Sequence, residues 1–265
     1  MDLITVDFET YYDRKFSLSK ITTEEYIRRD KFQVIGVGVK VNNGQTEWVS
    51  GSHEVINEYL QQFDWQSSMV LAHNTMFDGA ILNWIFNVRP RAYTCTLCIA
   101  RALHGTQVSG SLKAVAVRYR IGEKGTEVLD ALGKHLDDFS VDELAAYGDY
   151  CINDVELTYK LFGLMGADFP RQELKLIDCT LRMFVEPVLD VDTEALREHL
   201  TGIRSHKEGL VKSSHVTKDI LMSNDKFADA LMDAGFVPPT KVSPTTGKKT
   251  YAFAKTDKEF QAMLK

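Results

Sequence analysis

The sequence predicts an α/β protein with a mixed central sheet, followed by a smaller helical region. Three observations lead there. A short β-branched run near the start turns abruptly polar, and residues 33–49 read as a hairpin. Then a compact apolar strand at residues 69–72 feeds directly into a helical pattern, with further helices behind it.

The elements follow in order. Leu3-Ile4-Thr5-Val6-Asp7-Phe8 is a buried strand. Residues 33–41 form a second, in which Gly36 and Gly38 mark close packing or a bulge. Asn42-Asn43-Gly44-Gln45 supplies a tight turn, and Thr46-Glu47-Trp48-Val49 returns antiparallel. Residues 53–63 place Val55, Ile56, Tyr59, Leu60 and Phe63 on one helical face. Met69-Val70-Leu71-Ala72 is the next strand, and a helix opens at His73-Asn74 and runs to about Phe86. Residues 94–165 are mainly helical, cut by Gly105, Gly110, Gly122-Glu123-Lys124-Gly125 and Gly133. Ser140-Val141-Asp142-Glu143 fits a capping box that opens a helix through Asp154 towards Phe162. Residues 163–170 are the expected boundary. Helices are expected at 172–185, 192–220 and 223–234, and a loop rich in Pro, Ser, Thr, Gly and Lys at 237–250.

Composition bounds the function. The chain has 265 residues, 44% hydrophobic and 26% charged, with 17 Gly and 6 Pro, which excludes a collagen, a disulfide scaffold or a mostly disordered tail. No apolar run approaches the roughly 20 residues that span a bilayer, so no membrane partner is expected. The first residues lack the basic and apolar regions of a signal peptide. Cys95, Cys98, Cys151 and Cys179 show no framework spacing and are expected as reduced thiols in a cytoplasmic protein. The Cys95-x-x-Cys98 spacing lacks a second pair or a well-placed His for zinc. A net charge of −6 argues against a generally basic nucleic-acid binder. Its distribution says more. Residues 41–88 carry no Lys or Arg, whereas 89–124 carry Arg89, Arg91, Arg101, Lys113, Arg118, Arg120 and Lys124 against the single acid Glu123. A basic strip in an acidic body suits a phosphate backbone passing beside carboxylates, and an unevenly charged solvated surface also fits.

Three acidic clusters carry the chemistry. Asp7 and Glu9 flank Phe8 at the end of the first strand, where alternation points both carboxylates to one side. Asn74 and Asp78 are four apart at a helix start, which an N-cap with an acid in the first turn explains equally well. Tyr150 and Asp154 share a face of a later helix, flanked by Cys151, Ile152 and Val155.

Taken together, Asp-x-Glu, Asn-x-x-x-Asp and Tyr-x-x-x-Asp, in this order and on these elements, resemble the motif set of the DEDD (DnaQ-like) 3′–5′ exonucleases. The tyrosine subclass fits, because Asp149 stands where the histidine subclass has its His. Asp7-Phe8-Glu9-Thr10-Tyr11-Tyr12, Ala72-His73-Asn74-Thr75-Met76-Phe77-Asp78 and Tyr150-Cys151-Ile152-Asn153-Asp154-Val155 are similar to the proofreading domain of bacteriophage family A DNA polymerases. Glu186-Pro187-Val188-Leu189-Asp190-Val191-Asp192, Ser223-Asn224-Asp225-Lys226-Phe227 and Lys241-Val242-Ser243-Pro244-Thr245-Thr246-Gly247-Lys248 resemble the junction and lead-in to the polymerase domain. Polymerase motifs do not follow, so polymerisation by this polypeptide alone is not expected.

The resemblance implies an RNase H-like fold with a mixed five-stranded sheet, an exonuclease domain over residues 1–168 and a helical extension over 169–265. It implies hydrolysis at DNA 3′ ends with release of 5′-mononucleotides, using two divalent cations, Mg²⁺ or Mn²⁺. Asp7 would bridge both ions, Glu9 and Asp154 would complete the nucleophile-side ion, and Asp78 would hold the second. Tyr150 would position the attacking water. Phe8, Thr10 and Phe77 would seat the terminal nucleotide, Asn74 would fix local geometry, and Arg101, Lys113 and Arg118 would take upstream phosphates. Expected partners are single-stranded DNA or a frayed duplex 3′ end and a polymerase domain or subunit, in the host cytoplasm if phage-encoded. Two other readings share these residues or bypass them: an RNA 3′-end processing exonuclease, and a module docking a replication partner through its C-terminal helices.

Overall fold

The structure, a computed structural model, describes residues 1–122, 131–214, 216–243 and 245–264. Glu123, Lys124 and Gly125 of the expected loop, and Pro244, therefore lie outside the described residues. The chain divides into two compact units, Met1–Val188 and Leu189–Lys265.

The first unit is built on a five-stranded sheet. Its strands are β1 (Asp2–Thr10), β2 (Val34–Val41), β3 (Thr46–Ser50), β4 (Ser68–Ala72) and β5 (Ala92–Cys95). The order is β3-β2-β1-β4-β5, with β1–β2 and β2–β3 antiparallel and β1–β4 and β4–β5 parallel. Around it lie α1 (Thr23–Arg28), α2 (His53–Leu60), α3 (Thr75–Trp84), α4 (Thr96–His104), α5 (Leu112–Tyr119), α6 (Val141–Gly166) and α7 (Arg171–Val185). This is the mixed α/β arrangement the sequence predicts. β5 and α1 were not foreseen, because four strand residues behind a proline and six helical ones carry too little periodicity to register.

β1 alternates faces. Ile4, Val6 and Phe8 enter the main apolar core with Val70, Ile81, Leu82 and Val185, which leaves Asp7 and Glu9 for the face covered by α6. The β1–β2 register slips between Glu9 and Thr10, and such an irregularity re-aims the side chains beside it. α6 lies against β1, β2 and β3. It can come close because Gly36 and Gly148 flank the Trp48 indole, where an added Cβ would stand 2.3 Å and 2.5 Å from ring atoms. The Ser140 hydroxyl accepts the Glu143 N–H and the Glu143 carboxylate accepts the Ser140 N–H, the reciprocal cap expected at the start of α6. Lys40, 5% exposed, pairs with Glu156 at 2.7 Å and anchors the middle of the helix to β2.

α7 belongs to this first unit. Asp178 accepts the Tyr93 N–H at 2.8 Å, and the Trp84 indole N–H donates to the Val185 carbonyl at 2.8 Å. Packing of α7 on α3 and β5 keeps that helix within the compact unit that ends at Val188.

The second unit contains α8 (Thr193–Ser213), α9 (Lys218–Leu221), α10 (Asn224–Asp233), β6 (Thr240–Val242), β7 (Lys249–Tyr251) and α11 (Lys258–Met263). The helix expected over 192–220 is split, and Thr217 caps the second piece by accepting the Ile220 N–H. The expected loop at 237–250 contains the β6–β7 hairpin, closed by Gly247 at φ +66°. Phe227, Tyr251, Phe253 and Phe260 form its small aromatic core. Among the described residues no helix is long and apolar enough to cross a membrane.

Candidate active site

The parallel strands end where the acids gather. Asp7 and Glu9 leave the same side of β1, and the Cys151 thiol on α6 donates to the Asp7 carbonyl at 3.3 Å and lies 3.6 Å from Asp7 Oδ2. One donor atom each from Asp7, Glu9 and Cys151 fall within 4.8 Å of one another.

Asp78 reaches the same place from the first turn of α3. It is 2% exposed and accepts the Phe8 N–H at 3.1 Å, so the peptide between Asp7 and Glu9 is tied to the helix. Burial, and then the negative charge of Asp7, push its carboxyl well above the usual carboxylate range. Local chemistry sets where α3 begins. Asn74 sits at the N-cap in a left-handed conformation, φ +85°, and its side chain makes no capping bond, contrary to the simple N-cap reading. The buried Thr75 hydroxyl closes the turn instead, accepting the Ala72 N–H at 3.1 Å and donating to the Thr94 carbonyl at 2.6 Å. His73 adds a second brace, with Nδ1 2.9 Å from Thr96 Oγ1 and Nε2 2.9 Å from the Gly110 carbonyl.

Tyr150 and Asp154 arrive on α6, both buried. Burial, followed by the charges of Asp154, Glu9 and Asp7, raises the Tyr150 phenol above its ordinary value. The Cys151 thiol is raised by burial and then by Asp7, Glu9 and Asp154. These shared influences link Asp7, Glu9, Asp78, Tyr150 and Asp154 electrostatically, whereas Asp149 is exposed. Carboxylate oxygens crowded in a buried site are the donor set of hard divalent cations, and Asp78 beside Asp7 fits a group whose charge such an ion neutralises.

A cleft of about 350 Å³ opens beside Glu9, lined by Phe8, Thr10, Tyr12, Tyr26, Phe77 and Tyr147 together with residues 17–19. Phe8 also stacks on Phe86 at 5.9 Å, and Thr10 Oγ1 is 2.9 Å from the Tyr26 hydroxyl. Phe8, Thr10 and Phe77 are therefore cleft residues. Asn74, Arg101, Lys113 and Arg118 are not among the lining residues. Arg101, Lys113 and Arg118 are exposed on α4 and α5. Arg89 and Arg91 precede β5, whose parallel course puts them at the opposite end of the sheet from Asp7 and Glu9, so the basic strip is not one continuous track. Lys124 lies outside the described residues.

Sequence reasoning missed Tyr12, Tyr26, Tyr147 and Cys151. Tyr147 was within reach, since it stands three residues before Tyr150 and shares its helix face. Burial and then the charge of Glu9 raise its phenol above the ordinary value.

No protein-family model matches the chain, and no curated protein matches it in sequence. Solved structures do. NrnC of Brucella melitensis bound to pGG is 16% identical with a TM-score of 0.50, over 69% of this chain and 81% of that one. A structure described as the apo form of a nuclease matches at 16% identity and a TM-score of 0.50, over 69% and 83%. The family B DNA polymerase of the archaeon Pyrobaculum calidifontis is 15% identical with a TM-score of 0.46, over 62% of this chain and 24% of that one. At these identities the likeness bears on architecture, and the first unit has the RNase H-like fold.

Proposed function

We propose that this chain is a divalent-cation-dependent 3′–5′ exonuclease of the DEDD tyrosine subclass that removes 5′-mononucleotides from DNA 3′ ends. The observation that carries the reading is the convergence of Asp7, Glu9, Asp78, Tyr150 and Asp154, drawn from β1, α3 and α6, beside a cleft of about 350 Å³. Asp7, Glu9, Asp78 and Asp154 would hold two ions, Mg²⁺ or Mn²⁺. When bound, such ions supply a nucleophilic water and neutralise charge on the leaving 3′ oxygen.

The chain's own groups do the rest. Tyr150 keeps its proton at neutral pH, because burial and Asp154 oppose phenolate formation, so it orients the attacking water through its hydroxyl instead of acting as base. Phe77 and Tyr26 give the cleft an apolar wall against which a terminal base packs, while Glu9 and Thr10 add polar residues to its lining. Arg101, Lys113 and Arg118 attract upstream phosphates from the exposed side of α4 and α5. A role in phage proofreading, with a polymerase domain or subunit as partner, rests on the resemblance of the motifs. RNA 3′ ends are the second reading; the likeness to NrnC bound to pGG keeps it in view.

The test is digestion of matched DNA and RNA strands with and without Mg²⁺. A 5′-labelled DNA strand shortening stepwise from its 3′ end, with mononucleotide release that stops on chelation, is the expected result. Preference for the RNA strand selects the second reading. Hydrolysis that persists unchanged in Asp7→Asn overturns both.

A further inference from the structure

We infer that Cys151 joins Asp7 and Glu9 in a mixed thiolate–carboxylate site that captures a thiophilic divalent cation such as Zn²⁺ or Cd²⁺ in competition with Mg²⁺. The competition rests on the function proposed above; the binding does not. Hard ions need only the carboxylates, so sulfur in this cluster is surplus to that chemistry. Its placement is nevertheless specific. Cys151 is fully buried, and its Sγ stands 3.6 Å from Asp7 Oδ2. A tetrahedral ion with metal–sulfur and metal–oxygen distances of about 2.3 and 2.1 Å separates its sulfur and oxygen ligands by about 3.6 Å. Glu9 supplies a third donor within 4.8 Å of the other two. Three protein ligands leave one position for water, the arrangement of an open zinc site.

The slot for sulfur is made by the neighbouring strand. A Cβ on Gly38 would lie 2.9 Å from Cys151 Sγ, so only glycine there lets the thiol settle beside the end of β1. When the metal–sulfur bond forms, the S–H bond breaks, its electron pair becomes the ligand pair and the proton leaves to solvent. A hard ion makes no such bond, so a soft ion holds Asp7 and Glu9 with an additional anchor.

The test is ultraviolet difference absorption during Cd²⁺ titration of the full chain without nucleic acid, comparing wild type with Cys151→Ser and Cys151→Ala. Cys95, Cys98 and Cys179 are present in all three proteins and cancel. The expected result is a sulfur-to-cadmium charge-transfer band in wild type that exceeds that of either variant by one thiolate per chain. Excess Mg²⁺ should displace it, and Asp7→Asn should weaken Cd²⁺ binding at least tenfold. Identical bands in wild type and both variants, with tryptophan fluorescence showing all three folded, overturn the inference. So does a Cys151-dependent band that Asp7→Asn leaves unchanged. A protein that digests DNA but shows no such band loses only this inference. One that shows the band but digests nothing loses only the nuclease reading.

Discussion

Asp78→Asn separates the charge of the site from its shape. The side chain is 2% exposed, and the oxygen that accepts the Phe8 N–H is retained in an amide, so packing and the β1–α3 tie should survive. The negative charge, buried next to Asp7, does not. Because burial and Asp7 raise the carboxyl, the folded chain binds a proton that the unfolded chain releases. Stability of the metal-free protein is then greatest below the ordinary carboxylate value of about 3.9, and declines as pH rises through the folded value. Removing a buried charge that lacks its ion is worth on the order of 1–3 kcal/mol at pH near 8. For a unit of this size each kcal/mol moves Tm by about 2–4 °C. The variant should therefore melt several degrees above wild type in chelator at alkaline pH, and the difference should vanish in acid. Mg²⁺ should act oppositely. At about a hundred times Kd it stabilises wild type by about 2.7 kcal/mol, and the variant should keep less than half of that. Tryptophan fluorescence is the assay, since Trp48, Trp65 and Trp84 all lie in the first unit and report its unfolding alone. A variant that melts below wild type in chelator and retains the whole Mg²⁺ response would refute the reasoning.

Two further outcomes are expected. Tyr150→Phe should lower kcat about 10–100-fold with little change in KM, because it removes an orienting hydroxyl and keeps the ring. The wild-type rate should show no loss from phenol ionisation below about pH 10, since burial and Asp154 hold that proton above its ordinary value; an alkaline limb that disappears in the variant contradicts this. Gly148→Ala should cost about 1–3 kcal/mol in urea unfolding, because its Cβ would meet the Trp48 indole at 2.5 Å, and an unchanged midpoint would show that α6 or the indole can shift.

How much of this was legible in the sequence depended on the range of the interaction involved. The β1 alternation, the hairpin and the Ser140–Glu143 cap are set by residues within four positions of one another, so pattern alone exposes them. Asp7 and Glu9 could be placed on one side of a strand for the same reason. The short β5 could not be seen locally. Its discovery changes the basic strip, because a parallel strand carries the chain from one end of the sheet to the other between Arg91 and Arg101. The reach of α7 into the first unit was hidden too, resting on Asp178 meeting Tyr93 and on Trp84 meeting the end of the helix.

The sequence by itself determined the strands β1 to β4, the helices α2, α3 and α6, the common side of Asp7 and Glu9 on β1, and the Tyr150–Asp154 pairing on one helix face. Periodicity and side-chain chemistry are properties of a stretch of chain, whatever it later packs against. Only the tertiary structure decided that Asp78 would be desolvated against Asp7, that Tyr147 and Tyr26 would wall the cleft, and that a missing Cβ at Gly38 would seat Cys151 beside Asp7. Burial and proximity across 70 or 144 residues of sequence arise when β1, β2, α3 and α6 close on one another, and no local pattern encodes them.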